Sequence, residues 1–200
     1  TRDAMAYGAA SPQRGPEENQ SEDCLFLNVW TPGLESDAAR PVMVYFHGGA
    51  YAAGSGSSPL YDGTRLCQRG DVVVVTVNHR LNAFGYLYLR RVLGPDFAAS
   101  GNAGQLDLVL ALEWVRDNAA RFGGDPSRVM VFGQSGGGAK IASLMATPVA
   151  DGLFHSAATM SGQQVTASGP GNATARARAY LAALGLDDSS ASQLLDMPMQ

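Results

Sequence analysis

The chain has 200 residues, 46% of them hydrophobic and 16% charged, which predicts one folded domain over 1–200 and excludes a disordered chain. Its net charge of −4 offers no attraction to a phosphate backbone, so no nucleic-acid partner is expected. No apolar run approaches the roughly 20 residues of a membrane-spanning helix. No basic-then-apolar leader is visible, and we expect a soluble protein, with the cytoplasm and secretion both left open.

The first half of the chain alternates loops with short apolar runs. Residues 1–22 are polar and rich in Pro, Gly, Gln and Glu, which predicts mostly loop. Apolar runs with β-prone residues then predict three strands, at 24–30, 42–46 and 72–77. The third run is apolar at nearly every position, which indicates a central strand in a sheet that is covered on both faces.

The second half of the chain adds helices to the pattern. Between 103 and 122 the apolar residues recur at helical spacing, which predicts a helix that ends at the turn 123–126. Further predicted elements are a strand at 129–132, a helix pattern at 141–145, a strand at 156–161 and a helix at 173–185. Strands that alternate with helices predict an α/β fold with a mostly parallel, doubly wound sheet.

Residues 133–137 read Gly-Gln-Ser-Gly-Gly and match the pattern G-x-S-x-G, which is typical of a nucleophile elbow. A predicted strand precedes the pattern and a predicted helix follows it, as an elbow requires. On such a turn the serine hydroxyl stands clear of the sheet, and the helix N-terminus favours developing negative charge. Ser135 is therefore the candidate nucleophile, and a structural glycine turn is the alternative.

A second glycine-rich turn, His-Gly-Gly-Ala at 47–50, directly follows the predicted strand 42–46. Ester hydrolysis passes through a tetrahedral oxyanion, which needs backbone N–H donors already in place. Glycines let the main chain approach a substrate closely. We expect the N–H groups of Gly49, Ala50 and Gly136 to form this oxyanion hole; the alternative is an ordinary glycine turn.

Residues 133–140 also bear a faint likeness to a phosphate-binding P-loop. That motif needs a lysine directly after its second glycine and then Ser or Thr. Here the lysine comes one residue late and an isoleucine follows it, so nucleotide binding is not expected. Cys24 and Cys67 form no metal-ligand cluster, and no metal site is predicted. They are interpreted as two buried thiols, with a disulfide to each other or to absent chain as the alternatives.

A serine nucleophile needs a general base, and in α/β-hydrolases the acid and the histidine follow the serine along the chain. His47 and His79 precede Ser135; the first is expected to shape the oxyanion turn and the second to lie in a connection. His155 follows Ser135 by only 20 residues, with Asp151 as the one acid between them, and is interpreted as a capping or surface residue, with a role as the general base as the alternative. A complete triad cannot be assembled, so we expect the chain to be the front part of a longer protein.

Two segments resemble signatures of the type-B carboxylesterase family, which includes cholinesterases and bacterial p-nitrobenzyl esterases. Residues 21–32 resemble its second signature, and residues 131–138 resemble its first. Shorter blocks at 78–81, 84–87, 101–114 and 122–126 are also similar to that family, its bacterial branch most of all. The resemblance implies an α/β-hydrolase fold, a small-molecule ester substrate, no cofactor, and an acyl-enzyme on Ser135 that water cleaves.

The resemblance also implies that the fold is incomplete in this chain. Members of the family are usually more than twice this length, and their acid, typically a glutamate, and their histidine lie beyond the equivalent of Gln200. They also have a segment before the equivalent of Thr1. The implied partner is therefore the remainder of the hydrolase, as later chain or as a separate polypeptide, and these 200 residues alone are expected to be inactive.

The sequence departs from the family pattern at two site positions. Gln134 stands where many members have glutamate, which removes a charge beside the nucleophile. Ala50 stands where many have a third glycine, and its methyl group is expected to narrow the acyl side of the pocket while its N–H can still donate. Tyr51 and Gln134 are expected to border the pocket. Cys24 pairs with an upstream cysteine in some relatives, but that region is absent and no disulfide is predicted.

Three hypotheses follow. The first is an esterase that acts through Ser135. The second is a non-catalytic, esterase-like binding module, against which the serine and the oxyanion turn both argue. The third takes the 200 residues as a whole protein, which would be an incomplete hydrolase with an exposed sheet edge.

Overall fold

The computed structural model describes residues 4–15, 17–34, 36–164 and 166–199. Its strands are β1 (Leu27–Trp30), β2 (Arg40–Phe46), β3 (Val73–Val77), β4 (Gly124–Gln134) and β5 (Ser156–Met160). They form one sheet in the order β1-β3-β2-β4-β5. β1 runs antiparallel to β3 and the other neighbours are parallel, so the sheet is mostly parallel as predicted. Ahead of Cys24, the described residues show one isolated bridge, between Ala10 and Gln20, and no helix or strand.

Helices and short 3-10 turns connect the strands. The helices are α1 (Thr64–Gly70), α2 (Asn82–Tyr86), α3 (Arg90–Leu93), α4 (Ala103–Asn118), α5 (Gly136–Leu144) and α6 (Pro170–Ala183). Within the described ranges, no helix is both long enough and apolar enough to cross a membrane.

The main core lies on the face of the sheet that α4 and α5 cover. Phe46 and Val75 from the strands pack there with Leu112 of α4 and Ile141 of α5, all of them fully buried. Val74 faces the other side of the sheet, where it packs with Cys67 of α1. β3 is therefore buried on both faces, which is why its sequence is an almost unbroken run of valines.

Two strands, β1 and β4, begin three or more residues away from their predicted starts. β1 begins at Leu27 because the chain before it makes tight turns, in which the N–H of Phe26 bonds the carbonyl of Cys24. β4 begins at Gly124, inside the segment 123–126 predicted as a turn. Gly123, with φ 73°, reverses the chain by itself, and the strand starts at once.

The helices differ from the predicted bounds for equally local reasons. α4 ends at Asn118, and a 3-10 turn completes the predicted segment 103–122. α5 begins at Gly136. The prediction began only at Ile141 because the run of glycines before it carries no apolar repeat. α6 begins at Pro170, a residue suited to the first helical turn. The helices α1, α2 and α3 were not predicted, since four to seven residues are too few to show the helical period.

The sheet brings two turns of the chain together at one edge. Phe46, at the end of β2, pairs in parallel register with Gly133, near the end of β4. The turn 47–50 and Ser135 therefore leave the sheet side by side. The carboxyl edge of an open α/β sheet is where ligand sites form.

Candidate active site

Ser135 joins β4 to α5 in a strained conformation, with φ 54° and ψ −118°. Side chains other than glycine rarely adopt positive φ, so the turn needs support from its surroundings. The Ser135 N–H donates to the Met160 carbonyl at 2.7 Å. Glycines leave room for the turn: a Cβ atom at Gly137 would collide with the Phe46 carbonyl, and one at Gly162 with the Ser135 carbonyl. Ser135 thus stands half-buried on a tight strand-to-helix turn.

Gly137→Ala is expected to lower the free energy of unfolding of the complete gene product by about 1–3 kcal/mol. A Cβ atom there would lie 2.9 Å from the Phe46 carbonyl carbon and 3.1 Å from the His47 carbonyl oxygen. Both are backbone atoms, which cannot move aside by a change of rotamer as a side chain can. Gly171→Ala, in the first turn of α6, is the matched control, because nothing lies within 4 Å of its Cβ position. Urea unfolding of both variants measures the difference, and equal stabilities would contradict the packing described.

The turn 47–50 lies directly against the Ser135 turn. A Cβ atom built on Gly136 would lie 2.6 Å from the Cα and 2.7 Å from the nitrogen of Ala50, while one on Gly48 would lie 3.6 Å from Ser135 Cβ. Because residue 136 is glycine, the two backbones can meet. The structure therefore brings together three of the predicted site residues, Ser135, Gly136 and Ala50.

The backbone of the turn leaves several donors unused. Gly49 and Ala50 have φ values of 85° and 54°, and the Gly49 carbonyl accepts two N–H groups of the residues that follow the turn. Across the parts of the chain that the structure describes, no hydrogen bond has the N–H of Gly49, Ala50 or Gly136 as its donor. Unpaired donors in two adjoining turns form an arrangement that can bind an anion.

Gln134 and Tyr51, the predicted neighbours of the pocket, occupy different places. Gln134 is exposed, and its Oε1 lies 3.1 Å from the Cβ position of Gly48, so it borders the turn 47–50. Tyr51 is half-buried, and its ring packs edge-on against Tyr86 with centroids 4.9 Å apart. Its carbonyl accepts the N–H of Asn82 at 2.9 Å, which ties the turn to α2. That either side chain touches a substrate stays a prediction.

His47 and His79 form a stacked pair, with ring centroids 4.7 Å apart and planes inclined by 6°. Burial, with the charge of Lys140, lowers the pKa of His47 to about 4. Burial and the neighbouring His47 and Lys140 lower the pKa of His79 well below its usual value. The Nδ1–H of His47 donates to the Gly48 carbonyl at 2.8 Å. Both rings are therefore neutral, and His47 shapes the turn as expected.

His155 lies at the opposite end of the sheet from Ser135. It precedes β5, where its Nδ1 accepts the N–H of Val129 at 3.1 Å and its own N–H donates to the Val129 carbonyl at 2.8 Å. The strand runs on from Val129 to Ser135 for six residues, about 20 Å at roughly 3.3 Å per residue. His155 is exposed and too far away to accept the serine proton, in agreement with its interpretation as a surface residue.

Lys140 is the functional candidate that the sequence pattern misses. It is the chain's single lysine, and the structure buries it completely. Its Nζ donates to the Ala50 carbonyl at 2.6 Å and lies 5.0 Å from the centroid of the Tyr51 ring. Burial lowers the pKa of Lys140 to about 7. The available signal was a lone lysine inside an apolar helix pattern, where a charged residue is rarely found.

The described residues place neither a metal-ligand cluster nor the cavity beside α2 and α4 at this site. The described residues contain no group of three or more His, Cys, Asp or Glu side chains that could hold a metal ion. Cys24 and Cys67 are both free and buried. A cavity of about 670 Å³ is lined largely by apolar side chains, among them Phe84 and Leu106, and Ser135 does not border it.

Residues 1–199 match the model of a known family, the Carboxylesterase family. The chain belongs to this family. The para-nitrobenzyl esterase of Bacillus subtilis is 45% identical over 202 residues, which cover 96% of this chain and 40% of that esterase. This carboxylesterase-family chain therefore spans about 40% of the length of that relative.

Solved structures agree with this assignment. A carboxylesterase of Geobacillus stearothermophilus superposes with a TM-score of 0.94 and 42% identity, over 99% of this chain and 41% of that one. The juvenile hormone esterase of Manduca sexta, solved with OTFP covalently attached, gives a TM-score of 0.85 and 34% identity over 96% of this chain and 38% of that one. The carboxylesterase-family chain thus has the α/β-hydrolase fold, and the resemblance seen in its sequence is confirmed.

Proposed function

We propose that this chain supplies the nucleophile and the oxyanion hole of a serine hydrolase that cleaves small carboxylic esters. Ser135 attacks the ester carbonyl carbon, and the N–H groups of Gly49, Ala50 and Gly136 bind the oxyanion that forms. The observation that carries the proposal is the contact between the backbones of Gly136 and Ala50 beside the strained serine. Backbone donors held in place in this way stabilise a transition state without reorganising.

The reaction proceeds through a covalent intermediate. A general base takes the Ser135 proton as its oxygen bonds to the carbonyl carbon, and the proton then passes to the departing alcohol oxygen. The acyl group remains on Ser135 until water, deprotonated by the same base, attacks the carbonyl and releases the acid. The covalently attached OTFP in the juvenile hormone esterase of Manduca sexta supports covalent chemistry in this family.

The base and its acid partner are proposed to lie outside these 200 residues, in later chain or in a separate polypeptide. His47 and His79 are buried, and their pKa values are lowered, so they remain neutral and enclosed. His155 is about 20 Å along the strand from Ser135. The 200 residues alone are therefore proposed to be inactive.

A fluorophosphonate probe tests this assignment on the complete gene product. The probe reacts with a serine only when a base and an oxyanion hole activate it. We expect stoichiometric labelling that disappears in Ser135→Ala and persists in His155→Ala. If the complete gene product takes up no label, the non-catalytic esterase-like module becomes the better description.

A further inference from the structure

Lys140 lies at a buried position, where the charge of a lysine destabilises the folded state. It lies in α5, five residues after Ser135, with no part of its side chain exposed. Among the described residues no ion pair includes it, and burial alone lowers its pKa. A buried ammonium group without a carboxylate partner destabilises a fold, so stability does not explain the residue.

The contacts of the Lys140 ammonium group are with the oxyanion turn. Its Nζ donates to the Ala50 carbonyl at 2.6 Å and lies over the ring of Tyr51. The Ala50 backbone also touches Gly136, whose Cβ position is 2.6 Å from Ala50 Cα. Ala50 has φ 54°, a conformation that alanine rarely adopts. Lys140 and Gly136 together hold this strained residue in place.

Among the described residues, the groups that face the Lys140 ammonium carry no compensating negative charge. His47 and His79 feel the charge of Lys140, which helps to lower their pKa values and keeps them neutral. Tyr51, which faces Nζ, and Tyr86, which packs on Tyr51, keep their protons because burial raises their pKa values. When the amine is protonated, its charge therefore acts on the turn 47–50 with no neutralising partner among these groups.

We propose that Lys140 is a positioning residue of the oxyanion hole: it holds the Ala50 carbonyl so that the N–H groups of Gly49 and Ala50 face the oxyanion. When the amine is protonated, its charge also favours the negatively charged transition state over the neutral ester, and the neutral amine above about pH 7 still donates to the Ala50 carbonyl. The inference rests on the proposed function, because it assigns Lys140 a part in the same site. A role of this kind appears in kcat, since the oxyanion exists only during the chemical steps.

The test compares Lys140→Met and Lys140→Gln in the complete gene product. Methionine keeps the length but loses both donor and charge, whereas glutamine keeps a donor without the charge. With p-nitrophenyl butyrate we expect Lys140→Met to lower kcat by about 10- to 100-fold and to leave KM within about twofold. Lys140→Gln should recover part of kcat. The Tm of Lys140→Met should equal or exceed that of the wild type, because an apolar side chain replaces a buried charge.

A fall in kcat at an unchanged or higher Tm supports the positioning role, since a merely structural lysine would lower both. An unchanged kcat, a loss confined to KM, or a kcat that falls only together with Tm in both variants overturns the inference. If the wild type shows no turnover that depends on Ser135, the proposed function and this inference fall together. If the wild type turns over and Lys140→Met equals it, the inference alone fails.

Discussion

Ser135→Ala is expected to lower kcat of the complete gene product on p-nitrophenyl butyrate by about 10⁴-fold or more. Alanine has no oxygen to form the acyl-enzyme, so the base and the oxyanion hole can act only on a direct attack by water. The methyl group fits wherever the serine Cβ fits, and the strained turn is preserved by the glycines around it. KM should therefore change little. Initial rates over a range of ester concentrations separate the two constants.

Two matched variants show whether the loss of kcat is specific to the substitution of Ser135. Ser143→Ala makes the same substitution on α5, where the hydroxyl donates to the Ala139 carbonyl one turn back, and should keep kcat within about twofold. His155→Ala should do the same, because that ring lies at the far end of the sheet. If Ser135→Ala kept more than about a tenth of the wild-type kcat, Ser135 would not be the nucleophile.

Local patterns in the sequence account for the sheet and for the positions of the two turns. The runs 42–46 and 72–77 predict strands because a strand covered on both faces is apolar throughout, and they lie within one or two residues of β2 and β3. The helix α5 could not be bounded in this way. Its first turn consists of glycines that are selected for close approach of backbones and not for burial of side chains, so they carry no helical period.

In the candidate site, too, the features marked by local motifs are predicted and the contacts made by long-range packing are not. Ser135 and the predicted donors of 47–50 are each marked by a short motif, because each tight turn depends on glycines that are neighbours in the chain. The contact between Lys140 and the Ala50 carbonyl joins residues 90 positions apart, and only the packing of α5 on the sheet creates it. The sequence names no base for the proposed reaction either, because His47 and His79 precede Ser135 in the chain and His155 lies about 20 Å from it along β4.

The free energy of unfolding of the complete gene product is expected to rise by about 3 kcal/mol from about pH 7 to about pH 9.5 through Lys140 alone. Burial lowers the pKa of Lys140 from its ordinary value of 10.5 to about 7. Below pH 7 the amine is protonated in the folded and the unfolded chain alike, so the cost of burying a charge is fully present. Between about pH 7 and 10.5 only the unfolded chain holds the proton, and stability therefore increases with pH.

Urea unfolding of the wild type and of Lys140→Met over this pH range isolates the contribution. Methionine does not titrate, so the variant should be the more stable protein near pH 7 and should lose that advantage as the pH rises. His47 and His79 have lowered pKa values and affect stability only below about pH 6.5, outside this window. Parallel pH dependences of the two proteins would mean that Lys140 keeps its charge when folded. Together with a normal kcat in Lys140→Met, that outcome would leave the lysine with neither a titration nor a positioning role.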